Sequence, residues 1–203
     1  MDRAAFAHRL LHAVIGSLAE FRRQIPDESP YAFALILGQC GNYLGYAVAT
    51  EEGLRRVASN YAAMGYRYRG REWEKFDNQE RLAAWLRWAN PDDGWRYGDF
   101  PETFEIADAL TLLVQAGAFG VDAEELEEFC TNVLAELRSD TAWLGVLSGV
   151  RVVVGVTSGE DPRDFLRTAT RANEYRSVRQ LWAEYWRGEQ LNARIMAPRS
   201  GPA

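Results

Sequence analysis

Residues 31–50 constrain the fold more than any other stretch. Tyr31-Ala-Phe-Ala-Leu-Ile-Leu37 and Tyr43-Leu-Gly-Tyr-Ala-Val-Ala49 are apolar, aromatic-rich runs joined by Gly38-Gln-Cys-Gly-Asn42. Two such runs separated by a Gly/Asn turn predict a β-hairpin. Thr50 then supplies a helix N-cap, with Glu51 and Glu52 in the first turn, where the helix dipole favours negative charge. A hairpin makes at least part of the sheet antiparallel, which favours an α+β fold over a repeating βαβ one.

Periodicity places the remaining elements. Over residues 4–23, Phe6, Leu10, Leu11, Val14, Leu18 and Phe21 fall on one side at 100° per residue, with His8, Arg9, His12 and Arg23 opposite. Pro26-Asp-Glu-Ser-Pro30 stops that helix. Further helices are expected at 51–63, 78–89 (carrying Leu82, Trp85, Leu86 and Trp88), 101–115, 123–137, 162–172 and 175–187. Tyr66-Arg-Tyr-Arg69 alternates as a short strand with one wet face. Val150-Arg-Val-Val-Val-Gly-Val156 reads as a central strand because it is β-branched. Asn90-Pro-Asp-Asp-Gly94 reads as a turn. Asp122 and Asp161 are expected helix caps, and Pro101 and Pro162 first helical residues. The expected whole is a single α+β domain over residues 1–188, with a partly antiparallel sheet of about 3–5 strands and about 6–7 helices. A flexible tail is expected over 189–203.

At 203 residues and 47% hydrophobic, the chain can bury a sizeable core. No apolar run reaches the roughly 20 residues of a membrane helix, and the start is too charged for a signal peptide. A cytoplasmic location is the expectation. Two cysteines, Cys40 and Cys130, make neither a disulfide framework nor a four-ligand zinc site. Cys40 belongs to the hairpin turn, and Cys130 reads as a small buried apolar group. The net charge of −6 argues against a nucleic-acid partner, but its distribution is uneven. Residues 92–128 hold eleven carboxylates against Arg96 alone, a local −10, whereas 163–199 hold eight arginines and four acids.

Several stretches together resemble one family, the bacterial domains of unknown function numbered 4303. They are Arg22 or Arg23 followed by Pro26-Asp-Glu28, Tyr31-Ala-Phe-Ala-Leu35, Thr50-Glu-Glu-Gly-Leu54, Leu86-Arg-Trp88, Asp92-Asp-Gly-Trp95 and the late strand ending near Gly159-Glu-Asp161. The likeness covers most of residues 1–175 and is weakest over 96–149. It implies an intracellular bacterial α+β protein with no established activity. Its relatives resemble small accessory and toxin-immunity-type proteins. The resemblance carries over no functional residue.

No catalytic or cofactor set emerges. His8 and His12 have the one-turn spacing that lets two imidazoles meet one metal. Position 9 holds a repelling Arg rather than a metalloprotease Glu, so the pair reads as solvent-facing and no metal site is assigned. Gly155-Val-Thr-Ser-Gly159 lacks the Lys of a phosphate loop and is explained by helix capping. Arg163, Arg167 and Arg171 form one basic stripe, read as a solvated face, as ion pairs with the acidic segment, or as an anion-binding site. Trp85, Trp88, Trp95, Tyr97 and Phe100 cluster about Asp92-Asp93, a pattern met in cores and in binding surfaces. The expected function is therefore a non-enzymatic interaction protein. It would bind a basic partner such as a toxin or nuclease through an acidic, aromatic-rimmed surface. That surface comprises Trp88, Asp92, Asp93, Trp95, Tyr97, Glu124, Glu125, Glu127 and Glu128. The alternative is an enzyme or sensor with a small-molecule pocket that uses Asp or Glu with Arg.

Overall fold

The computed structural model describes residues 2–38, 43–68, 78–88, 94–98, 103–119, 123–158 and 162–196. The first helix, α1 (Arg3–Gln24), is capped by Asp2, whose carboxylate accepts the Ala5 N–H at 2.8 Å. Its expected apolar side is interior: Phe6, Leu10, Val14, Leu18 and Phe21 are buried, joined by Ile15. Then come β1 (Pro30–Leu37) and β2 (Leu44–Thr50), antiparallel as the hairpin pattern predicts. The Gly38 N–H donates to the Tyr43 carbonyl at 2.9 Å across the connection. Cys40 and the rest of that turn lie outside the described residues. Thr50 caps α2 (Glu51–Ala63) by accepting the Gly53 N–H at 3.0 Å.

After β3 (Arg67–Tyr68) follow α3 (Asn78–Leu86), β4 (Trp95–Gly98), α4 (Thr103–Gln115), α5 (Ala123–Glu136), α6 (Thr141–Leu147), β5 (Val153–Thr157), α7 (Pro162–Ala172), α8 (Tyr175–Asn192) and β6 (Ile195–Met196). The main sheet runs β4-β2-β1-β5, with β5 parallel to β1 and the other pairs antiparallel; β3 and β6 form a separate pair. The described residues thus hold eight α-helices and a mixed four-stranded sheet, an α+β domain of the expected class. The caps expected at Asp122 and Asp161 and the start at Pro101 lie outside the described residues.

The hairpin sorts its side chains by size, and this sets the layers. Phe33, Leu35, Leu37, Leu44 and Val48 join one core with α1, α4, α5 and α6. Ala32, Ala34, Ala47 and Ala49, with Ile36, join a second core with α2, α3, α7 and α8. Each large buried side chain contributes roughly 2 kcal/mol through burial. Small residues on the second face let α7 approach closely. A Cβ on Gly155 of β5 would stand 2.8 Å from the Phe165 ring. Cys130 is fully buried in the first core, and burial pushes its thiol up to about 12, which makes it inert.

Three sequence expectations need correction. The valine-rich strand is terminal in the sheet rather than central, and it starts at Val153. Its five residues are nevertheless all buried, because α5 and α7 pack on it. Elements β4 and α6 were not expected; α6 is held by Asp140, which accepts the Trp143 N–H at 2.9 Å. The segment 189–196 is not a tail. Helix α8 continues to Asn192, where the Trp85 indole donates to the Asn192 side-chain oxygen at 3.0 Å. Beyond it, β6 pairs with β3. At Gly188 a Cβ would come within 3.2 Å of the Ala84 carbonyl, so α8 lies close against α3. Residues 197–203 lie outside the described residues. No helix among the described residues is long and apolar enough to cross a membrane.

Candidate functional site

Topology gathers charged residues at one end of the sheet. β1 starts where β2 finishes, since Pro30 pairs with Thr50, and β5 starts beside β1. Tyr31, Glu51 and Val153 therefore meet there. Helix α3 ends at the same place and supplies Arg87 and Trp88, while α8 supplies Gln180 and Glu184. The Arg87 guanidinium lies 4.5 Å over the Tyr31 ring centroid and donates to both Glu51 carboxylate oxygens, at 2.7 and 2.6 Å. The Tyr31 hydroxyl donates to the Arg87 carbonyl at 3.0 Å. The Trp88 indole donates to Glu184 at 3.1 Å, and the Gln180 amide donates to its other oxygen at 2.6 Å.

Two cavities of about 510 and 580 Å³ share Glu51, Arg87 and Glu184 as walls. Volumes of this size suit a small-molecule ligand. Arg151, Arg176 and Arg187 also line them, and none of the three has an ion-pair partner among the described residues. Burial works against the Arg87 charge, but Glu51 outweighs it and holds the guanidinium firmly charged. Burial drives the Tyr31 phenol well above its ordinary value, so this group is a hydrogen-bond donor and no base at neutral pH. The cleft offers guanidinium forks, carboxylates, amides and a hydroxyl (Ser177), a set suited to binding a charged polar molecule.

Beside the cleft, Glu28 ties three elements together. Its carboxylate accepts the Thr50 hydroxyl at 2.7 Å and Arg96 Nε at 2.9 Å, with a second Arg96 bond and Arg56 at 3.4 Å. The Arg96 bonds hold its pKa down to about 2, against the opposing effect of burial. Glu52 adds a link by accepting the Ser29 N–H at 2.6 Å.

The surface expected from sequence is divided by the fold. Trp88 and Trp95 are only 6% and 8% exposed and pack on Phe165 in the second core. Helix α5 instead buries Leu126 and Cys130 in the first core. The aromatic rim is thus reduced, among the described residues, to Tyr97; Asp92 and Asp93 lie outside them. Glu124 is exposed, but Glu125 pairs with Arg3, Glu127 with Arg167 at 2.8 Å and Glu128 with Arg171 at 2.7 Å. Arg163 is exposed and has an interaction of its own. Pairing with the acidic segment therefore accounts for Arg167 and Arg171.

Sequence reasoning missed Glu51, Arg87, Arg151, Arg176 and Glu184 as a group. Glu51 and Arg87 stand in the stretches that carry the family resemblance, but Glu51 reads locally as a helix-start charge. Only the meeting of chain segments 36 residues apart reveals its partner.

No curated protein and no solved structure matches this chain. The model of a family described as Domain of unknown function (DUF4303) matches residues 10–174, a span that contains the whole four-stranded sheet with Tyr31, Glu51, Arg87 and Trp88. The chain belongs to the DUF4303 family.

Proposed function

We propose that this protein is an intracellular binding protein or sensor whose cleft takes a small polar molecule bearing an anionic group. The observation that carries the reading is Arg87, fixed by Glu51 and Tyr31 between two cavities that Arg151, Arg176 and Arg187 also line. A guanidinium locked by a carboxylate is pre-organised, so less side-chain entropy is lost when a ligand arrives. Arg151 and Arg176 would take the anionic group as a fork pair. Glu174 and Glu184 would accept from donors elsewhere on the ligand.

The test is a thermal-shift and NMR screen of the full chain against carboxylate-, phosphate- and amine-bearing metabolites. Compounds carrying an anion should stabilise it, and Arg151→Glu or Arg176→Glu should weaken them by roughly tenfold or more. Both arginines are exposed, so neither change should unfold the protein. Binding indifferent to both substitutions would remove the cleft from consideration.

A second reading keeps a protein partner of the immunity-type or accessory kind. It is favoured by Tyr97 and Trp186, which are 53% and 58% exposed. Aromatic residues held at a surface are common anchors for partners. The acidic face of α5 supports this reading less, because Glu125, Glu127 and Glu128 already have arginine partners.

A further inference from the structure

The chain has two histidines, and both lie on the wet face of α1. His8 and His12 bring their Nε2 atoms to 3.1 Å. Their ring centroids are 4.3 Å apart, with planes inclined at 66°. Two nitrogens that share one cation at about 2.0–2.1 Å stand about 2.9 Å apart at a right angle and about 3.4 Å apart in a tetrahedron. The observed separation falls between those limits.

We propose that His8 and His12 form a two-imidazole site for a divalent d-block cation, separate from the cleft. One helical turn sets the spacing, and the backbone of α1 holds both rings on the same side. Among the described residues, no group of three or more His, Cys, Asp or Glu side chains could hold a metal. The remaining positions therefore belong to water, and the site is open rather than structural. Imidazole nitrogens suit copper, nickel and zinc, whereas calcium and magnesium require oxygen ligands. The Arg9 charge within the same turn lowers affinity, though solvent and salt screen it. Cu²⁺ stands at the top of the affinity order for such ligands and so best withstands that penalty, which all divalent cations share. A single N–H···N hydrogen bond would give the same 3.1 Å separation, so the two arrangements must be told apart by binding.

The experiment titrates tag-free full-length protein with Cu²⁺ and Zn²⁺ by calorimetry, and records the paramagnetic resonance spectrum of the copper form. We expect one ion per chain, with copper held more tightly than zinc. His8→Ala and His12→Ala should each weaken copper binding by roughly tenfold or more, because the second imidazole then no longer acts within the same molecule. The nitrogen splitting in the copper spectrum should drop from that of two imidazoles to that of one. Circular dichroism of the variants should match the parent, since both side chains are exposed. Failure of the parent to bind, or equal copper affinity in either variant, overturns the site. Neither result bears on ligand binding in the cleft.

Discussion

Glu28 and Glu127 are both carboxylates paired with arginine, and their side chains are 8% and 18% exposed. Their surroundings nevertheless act on them in opposite directions. Glu28 receives the Thr50 hydroxyl and two Arg96 N–H groups, with Arg56 nearby, and its pKa falls to about 2. Glu127 receives Arg167 at 2.8 Å, but burial and then the neighbouring Asp164 and Glu124 charges outweigh that contact, and its pKa rises. An arginine within reach therefore does not decide whether a buried charge stabilises the fold. The number of donors aimed at it does, because each lone pair taken from water must be satisfied again.

The strongest way to break this comparison is Glu28→Gln. The amide keeps the shape but loses the charge that holds Arg96 and Arg56 and receives the Thr50 hydroxyl. Removing one member of a half-buried charged network should cost about 2–3 kcal/mol. For a domain of this size that lowers Tm by about 5–10 °C, measurable by calorimetry. A shift below 1 °C would mean that the Glu28 network is idle.

Acid titration gives the next largest effect. The Glu28 carboxyl is depressed from 4.5 to about 2 in the folded protein, so the unfolded chain binds its proton first. Its contribution is complete above about pH 4.5 and is lost as pH falls towards 2. Part of the group's field reaches solvent, which leaves about 1–2 kcal/mol at stake. Urea midpoints at pH 6 and pH 3 should differ by less in Glu28→Gln than in the parent. Glu20, also held at about 2 by Arg23 and Gln24, titrates in the same window but is partly exposed on the surface of α1 and serves as background.

These pairs also show where sequence reasoning reaches and where it stops. The hairpin, the apolar side of α1 and the Thr50 cap were legible, because each depends on residues close to one another in sequence. Thr50 bonds Gly53, three residues on. The terminal place of β5 was not legible, since its valines are buried by helices α5 and α7 rather than by a second strand. Strand β4 was hidden for the same kind of reason. Its four residues pair with β2, nearly fifty positions earlier, and local pattern alone does not reveal a strand that short. Helix α6 is seven residues long and buries Trp143 alone, too little for a periodic signal. The cleft combines β1, α2, α3, β5 and α8, so Glu51 looked like a helix-start charge and the other charged groups carried no local signal. Trp88 and Trp95 misled in the opposite sense, because Asn90-Pro-Asp-Asp-Gly94, which reads as a turn, interrupts the sequence periodicity that would have shown them facing inward.

The smallest expected effect sharpens the comparison most. A carboxyl with a raised pKa costs stability at neutral pH, and that cost disappears as pH falls through its folded value. Glu127→Gln removes the buried charge and the repulsion from Asp164 and Glu124, while giving up one bond from Arg167. Arg167 is half exposed and lies 3.6 Å from Asp164, so it keeps a carboxylate when Glu127 is gone. Gains and losses should cancel to within about 0.5 kcal/mol at pH 7. Against Glu28→Gln, the same chemical change should thus differ by about 2 kcal/mol between two arginine-paired sites. Glu128 supplies the reference, since it pairs with Arg171 in the open and Glu128→Gln should also be near neutral, its small effect vanishing in high salt. If Glu127→Gln proved as damaging as Glu28→Gln, the Arg167 bond would outweigh desolvation. Donor count would then be the wrong measure of what a paired carboxylate contributes to this fold.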